Sequence, residues 1–140
     1  MSKIAVVYWS GTGNTEAMAK AVLDGILEAG AEGTLFTASE FDDSMIGQFD
    51  AIAFGCPSMG DEQLEDSEFE PMFDACRAHL SGKPIALFGS YGWGGGEWMR
   101  AWEASCDADG ANRVTDSVIC NDAPDSEAIE ACKALGKALC

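Results

Sequence analysis

The chain has 140 residues, of which 47% are hydrophobic, and its 24 acidic and 8 basic side chains give a formal net charge of −16. This length and hydrophobic content suit one domain, residues 1–140, with a sheet between two helix layers. A charge this negative argues against nucleic acid and anionic membranes as partners and favours proteins with a basic face.

No apolar stretch is long enough to span a membrane, and no basic segment precedes an apolar one as in an export signal. We therefore expect a cytoplasmic protein. The six cysteines include no CxxC pair, which predicts buried, reduced thiols. Catalysis by Cys56 is the alternative, but the only histidine, His79, is distant in sequence.

The first predicted element is a buried strand, residues 4–8, which runs into a loop of glycines and hydroxyl-bearing residues. Apolar residues from Met18 to Ala29 then recur at helical spacing. Because the free N–H groups and positive dipole end of a helix attract anions, the loop predicts a phosphate site. No lysine or arginine lies between Lys3 and Lys20, so neutral donors must hold the phosphate.

Two better-known phosphate loops do not match this stretch. A nucleotide triphosphatase loop needs a lysine that is missing here, and the third glycine of a dinucleotide fingerprint is replaced by Glu16. An ordinary strand-to-helix turn with capping Ser and Thr remains the alternative.

The remaining chain alternates between strand and helix patterns. Strands are predicted at residues 34–37, 50–56, 84–91 and 114–120, and helices at residues 42–47, 69–80, 98–106 and 128–139. Five strands alternating with five helices predict an α/β fold with helices on both faces of a five-stranded parallel sheet. The most apolar strands should be central, which gives the order 2-1-3-4-5 and a ligand crevice at the carboxyl ends of strands one and three.

Two further loops with unusual composition follow strands three and four. Because parallel strands end at the same edge of a sheet, they should meet the first loop at one crevice. The predicted binding residues of the three loops are Ser10, Gly11, Thr12, Gly13, Asn14, Thr15, Pro57, Ser58, Met59, Gly60, Asp61, Glu62, Ser90, Tyr91, Gly92, Trp93 and Gly94.

Three motifs on these loops, SGTGNT, MGDE and SYGWG, resemble those of flavodoxins, specifically the short-chain type found in anaerobic bacteria. The similarity covers essentially the whole chain, including EFEP at residues 68–71. It implies a flavodoxin-like three-layer fold with non-covalently bound FMN. It also implies a monomeric, low-potential one-electron carrier that shuttles electrons between redox enzymes and is not itself an enzyme. Flavodoxin with its FMN is a known example of the crevice rule used above.

The resemblance also implies roles for single residues. Trp93 and Met59 would flank the flavin ring, and Glu62 would accept a hydrogen bond from its imide N–H. Loss of the Thr12 or Thr15 hydroxyl should weaken binding of FMN but hardly that of riboflavin, which has no phosphate. Some family members have serine in place of Pro57, so that hydroxyl contact is absent here.

A four-residue turn is predicted at residues 59–62, with Gly60 and Asp61 at its centre. Glycine permits positive φ, so the peptide between these two residues can reverse, as it does on reduction in the resembling family. The alternative is that Gly60 only lets the backbone approach the ring.

An exposed acidic face is predicted beside the ring, since six of the ten residues 61–70 are acidic, among them Glu65, Asp66 and Glu68. This face should dock basic redox partners. Its negative charge should also make uptake of the second electron by the flavin less favourable.

The predicted crevice contains no histidine, lysine or arginine, so it lacks an evident acid, base or substrate anchor. This pattern favours an electron carrier. An FMN-dependent quinone or nitro-compound reductase on the same fold is the alternative, but it would need a substrate pocket over the ring. A response regulator would need acids after strand one and an aspartate after strand three, where this chain has Ser10 and Cys56.

Overall fold

A parallel β-sheet forms the middle layer of the computed structural model, which describes residues 2–140. Its strands are β1 (Lys3–Tyr8), β2 (Glu32–Thr37), β3 (Ala51–Gly55), β4 (Pro84–Tyr91), β5 (Asn112–Arg113) and β6 (Val118–Asn121). The strands follow the order β2-β1-β3-β4-β5, and β6 also pairs with β4. The predicted strand order is confirmed.

Two short strands, β5 and β6, stand in place of the fifth strand predicted at residues 114–120, and only β6 overlaps the predicted range. Both segments pair with the edge of β4 that faces away from β3: Ile85 pairs with Arg113, and Phe88 pairs with Val118. Between these two pairs, the segment from Arg113 to Val118 has two more residues than the stretch of β4 beside it. The extra residues do not pair with β4. Residues 115–117 between the two strands are polar, and Ser117 Oγ donates to the Glu103 carboxylate at 2.6 Å.

Helices cover both faces of the sheet. They are α1 (Asn14–Glu28), α2 (Phe69–Arg77), α3 (Glu97–Ala108) and α4 (Ser126–Ala138). The predicted helix at residues 42–47 is a 3₁₀ helix, Asp43–Gln48, and a second one spans Ala38–Glu40. Among the described residues, no helix has both the length and the apolar character needed to cross a membrane.

The core has two parts, one on each side of the sheet. Ile4 and Val6 of β1 pack towards α1 and α4, while Ala5 and Val7 face α2, α3 and the 3₁₀ helices. β1 from Ile4 onward and all of β3 are buried, whereas the half-exposed β2 lies at an edge. This is the arrangement that their apolar and polar compositions predict.

Two glycines bring α1 and α4 close together. A Cβ atom at Gly25 would lie 2.1 Å from the Lys133 carbonyl oxygen, and one at Gly136 would lie 2.2 Å from that of Val22. The backbones therefore touch directly, which packs the second half of α1 closely against α4.

Candidate functional site

The loop after β1 is closed by its own serine. Ser10 Oγ accepts hydrogen bonds from the backbone N–H groups of Gly13 at 3.0 Å and Glu16 at 3.2 Å. Gly13 has a φ of 96° and directly precedes α1. A non-glycine residue would be strained at that φ, so glycine is what lets the chain turn from strand to helix here.

Five backbone N–H groups of this loop have no acceptor among residues 2–140: those of Ser10, Gly11, Thr12, Asn14 and Thr15. They lie at the amino end of α1, where the helix dipole is positive. The Thr12 side chain is exposed beside them. Such a set of donors suits an anion held without a cation.

Thr15 connects this loop to the one after β4. Its side chain is buried, and its Oγ1 lies 3.0 Å from Ser90 Oγ. Ser90 in turn accepts a hydrogen bond at its carbonyl oxygen from the Ser58 N–H at 3.0 Å. The loops after β1, β3 and β4 therefore meet at Ser90, as their positions on the sheet predict.

The turn after β3 closes one residue later than predicted. Met59 and Gln63 exchange two backbone hydrogen bonds, of 2.8 and 2.9 Å, so three residues form the loop between them. The prediction of closure at Glu62 is wrong because Glu62 itself adopts a positive φ of 55° and continues the turn. Gly60 has the positive φ expected of it, 54°.

Glu62 also joins the second and third loops. Its Oε1 accepts a hydrogen bond from the backbone N–H of Glu97, the first residue of α3, at 3.0 Å. Gly94 lies against the same carboxylate, and a Cβ atom there would be 2.5 Å from it. The carboxylate is thus positioned from two sides at the border of the crevice.

Two large apolar side chains on the loops after β3 and β4 are open to solvent. Trp93 is 60% exposed and Met59 is 37% exposed. Trp98 and Trp102 are buried in the core, as their helical spacing predicts, and Trp98 Nε1 donates to the Cys56 carbonyl oxygen at 3.1 Å. An exposed indole and thioether offer surfaces for a flat aromatic ligand.

A cavity of about 190 Å³ lies where the loops meet. Nine predicted residues line it: Gly11, Thr12, Asn14, Pro57, Ser58, Met59, Ser90, Tyr91 and Gly92. Ser10 and Gly13 line a neighbouring cavity of about 360 Å³ instead. The remaining predicted residues, Thr15, Gly60, Asp61, Glu62, Trp93 and Gly94, lie outside these two linings.

Sequence reasoning missed two residues of the 190 Å³ cavity, Trp9 and Asp122. Trp9, like Gly11, also lines the 360 Å³ cavity, and its Nε1 donates to Glu68 at 3.1 Å. Asp122 follows β6, has a φ of 56° and donates its N–H to the Tyr91 carbonyl oxygen at 2.8 Å. Its position after a parallel strand at the crevice edge was the available signal, but that loop has no glycine to mark it.

Glu65 does not belong to an exposed acidic face. It is 5% exposed, and its carboxylate accepts the backbone N–H groups of Ser67, Glu68 and Phe69 within 2.9 Å. Burial would raise the pKa of Glu65, but these bonds and that from the Ser67 hydroxyl outweigh it and lower the pKa. The prediction was wrong for this residue because a sequence does not show that the carboxylate turns back onto its own chain.

The surroundings of Cys56 do not favour a catalytic thiolate. Burial raises the pKa of the Cys56 thiol far above its ordinary value, and His79 pairs with Asp43 at 3.2 Å, away from the crevice. Within residues 2–140 no three metal-binding side chains come together.

Comparisons with known proteins agree with this geometry. The family model described as Flavodoxin matches residues 6–136. The chain is 47% identical over 137 residues to a flavodoxin of Megasphaera elsdenii, with 96% of each chain covered. It is 44% identical over 132 residues to one of Clostridium beijerinckii, covering 94% of this chain and 95% of the relative. The solution structure of two-electron reduced Megasphaera elsdenii flavodoxin superposes with a TM-score of 0.90 over 97% of each chain, at 43% identity.

Proposed function

The chain belongs to the flavodoxin family, and from this premise we propose that it is a low-potential one-electron carrier with non-covalently bound FMN. The observation that carries the proposal is the convergence of three loops on one crevice. That crevice has unpaired N–H donors at one end and exposed apolar surfaces at the other.

The residues of the crevice fit the parts of FMN. The free N–H groups of the loop after β1, with the Thr12 hydroxyl and the Asn14 amide, would hold the phosphate. The conformation of that loop would be held by contacts within the chain, from the side chains of Ser10 and Thr15 and the positive φ of Gly13. The seventeen loop residues predicted from the sequence remain our proposed binding set, to which we add Trp9 and Asp122.

The ring would lie between the loops after β3 and β4. Trp93 and Met59 would pack on its faces, and the Glu62 carboxylate would accept its imide proton. When bound, FMN supplies the ability to take up and release single electrons. The chain supplies an apolar, acidic surrounding that sets the potentials of that exchange.

We propose that the protein is not itself an enzyme. The side chains that line the 190 Å³ cavity include no lysine, arginine, histidine or cysteine that could anchor a substrate or transfer a proton. Redox proteins with a basic face are the proposed partners, since the chain carries 24 acidic and 8 basic side chains. A monomer of one domain in the cytoplasm completes the proposal.

Purification tests the cofactor directly. The protein should be yellow, and acid should release one flavin per chain that chromatography identifies as FMN. The apoprotein should bind FMN more tightly than riboflavin. A colourless protein that takes up no FMN would refute the proposal, and steady NADH-dependent quinone turnover by the protein alone would identify a reductase instead.

A further inference from the structure

The loop that carries Trp93 has little of its own to hold it in place. Four of its five residues, 92–96, are glycines, and Gly94 and Gly96 have φ values of 86° and 87°. A Cβ atom at Gly95 would meet nothing within 4 Å. A glycine-rich loop in open space has high conformational entropy, which binding must then reduce.

One basic side chain bridges this loop to the helix that follows it. Arg100 lies in the first turn of α3, and its Nη1 donates to the Gly95 carbonyl oxygen at 2.9 Å. Its Nη2 bonds to the Glu97 carboxylate. The planar guanidinium thus spans a loop carbonyl and a helix carboxylate, which a lysine ammonium cannot do with the same geometry.

The bridge shares Glu97 with the Glu62 contact. The Glu97 N–H holds Glu62 while the Glu97 side chain holds Arg100, and Gly94 lies against the Glu62 carboxylate. The loop is therefore held from the side of the β3 turn by Glu62 and from the side of α3 by Arg100. Neither contact involves Trp93 itself, so both would act on the indole through the loop backbone.

Arg100 is also the only basic residue between Lys83 and Arg113. Its hydrogen bond to Glu97, the nearby Glu97 charge and, to a lesser extent, the Glu62 charge raise the pKa of the guanidinium, a group that is always charged in proteins. A fixed positive charge next to Glu62 opposes the acidic field at this end of the crevice.

We propose that Arg100 is a positioning residue for the flavin site: its guanidinium holds the Trp93 loop in its binding conformation and, separately, offsets negative charge beside the ring. The proposal rests on the proposed function for the flavin, but the restraint on the loop is a property of the chain alone.

The first test therefore uses the apoprotein. Backbone ¹⁵N order parameters of Gly94 and Gly95 should fall from about 0.85 towards 0.6 in Arg100→Ala and in Arg100→Lys. The matched control is Arg77→Lys, since Arg77 is likewise half-exposed and paired with carboxylates, those of Asp109 and Asp74, but does not contact the loop. Unchanged order parameters in both Arg100 variants would overturn the proposal.

The second test uses the FMN-loaded protein and separates geometry from charge. FMN should dissociate about 3- to 10-fold faster from Arg100→Lys and Arg100→Ala than from the wild type, because a loop without the guanidinium bridge opens more readily around the bound ligand. The second one-electron potential should become more negative in Arg100→Gln and stay unchanged in Arg100→Lys. If FMN dissociated from Arg100→Lys at the wild-type rate, the proposed role of Arg100 in holding the loop would be overturned. A wild-type protein that binds no FMN would refute the proposed function and leave the apoprotein result standing.

Discussion

The side chains of Thr12 and Thr15 lie three residues apart in the loop after β1, but their hydroxyls have different surroundings. Thr12 is exposed beside free N–H groups, whereas Thr15 is 1% exposed and bonded to Ser90. A hydroxyl at the surface of an anion site contributes only to binding of the ligand. A buried hydroxyl that joins two loops contributes to the fold as well.

Replacement of each threonine by alanine should separate these roles. Thr12→Ala should weaken FMN binding by about 1.5 to 3 kcal/mol and leave riboflavin binding and stability unchanged, because a bond to a charged phosphate is lost. Thr15→Ala should weaken the binding of both FMN and riboflavin. It should also lower the free energy of unfolding by about 1 to 2 kcal/mol, since the buried Ser90 hydroxyl loses its partner.

Fluorescence titration of the apoprotein with FMN and with riboflavin, together with urea unfolding, measures these effects. The sequence alone predicted the phosphate-specific result for both threonines. If Thr12→Ala lost equal affinity for the two ligands, the Thr12 hydroxyl would not contact the phosphate.

The buried carboxylate of Glu65 predicts a pH dependence of stability. Its pKa is lowered in the folded protein, so its ionised form stabilises the fold at neutral pH. That contribution is fully present above the ordinary glutamate pKa of about 4.3 and is lost as the pH falls through the lowered value. Glu65→Gln should therefore cost about 1 to 2 kcal/mol at pH 7, a typical value for a helix cap.

Urea unfolding of the wild type and Glu65→Gln at several pH values is the measurement. The gap between the two proteins should begin to narrow as the pH falls below the ordinary glutamate pKa of about 4.3, and should narrow further as the pH passes the lowered pKa of the folded protein. Asp66→Asn is the control, since the Asp66 side chain is exposed. A gap that stays constant with pH would show that the Glu65 charge does not stabilise the fold.

At the scale of elements, the turn after β3 is a short hairpin whose central residues stay free to rearrange. The Met59–Gln63 hydrogen bonds close its base, so the peptide between Gly60 and Asp61 can reverse while the turn stays closed. Reversal changes mainly ψ of Gly60 and φ of Asp61. At Gly60 a type II′ arrangement combines positive φ with ψ near −120°, a region essentially restricted to glycine.

Gly60→Ala should therefore lower the first one-electron potential of bound FMN while FMN stays bound. A Cβ atom at Gly60 would approach no described atom closer than 3.8 Å, so the methyl group has space. Alanine is strained at the φ of 54° and more so in the reversed peptide, so the effect comes from φ and ψ. A preference of about 1 kcal/mol against the reversed peptide corresponds to some tens of millivolts, since about 59 mV is tenfold for one electron.

Potentiometric titration of Gly60→Ala against the wild type measures this shift. Gly47→Ala is a suitable control, because Gly47 also has open space around it and no positive φ. Weaker binding of oxidised FMN with an unchanged first potential would contradict peptide reversal and favour the reading that Gly60 only lets the backbone approach the ring.

Charge is unevenly neutralised over the whole molecule. Five of the eight basic side chains, Arg77, Arg100, Arg113, Lys133 and Lys137, lie within 4.0 Å of carboxylates. Asp61 and Asp66 are exposed near the turn after β3 and have no such cation among the described residues. The excess negative charge is therefore left partly at the crevice, where a partner would approach the flavin.

Asp61→Asn with Asp66→Asn should slow electron transfer to a basic redox protein several-fold at about 0.01 M ionic strength, where the Debye length is about 30 Å. The second one-electron potential should rise, because less negative charge surrounds the reduced ring. Stopped-flow kinetics at increasing salt checks the first effect. The control pair, Asp24→Asn with Glu32→Gln, lies away from the crevice and should change neither quantity; equal slowing in both pairs would refute a directed docking face.

The sequence by itself determined the strand order, the three loops and most of the proposed site. Apolar strands and glycine-rich loops are local patterns, and a parallel sheet brings its carboxyl ends together whatever the side chains do. Only the tertiary structure decided what each polar group contacts. The Glu65 and Thr15 side chains are buried, and the Glu62 carboxylate bonds to the first residue of α3. Asp122 lines the crevice, and two short strands replace the predicted fifth strand. Glu65 bonds to backbone groups only two to four residues away, but a composition pattern does not show which way its side chain turns. The other outcomes depend on contacts between segments up to 75 residues apart, and no local pattern encodes such pairings.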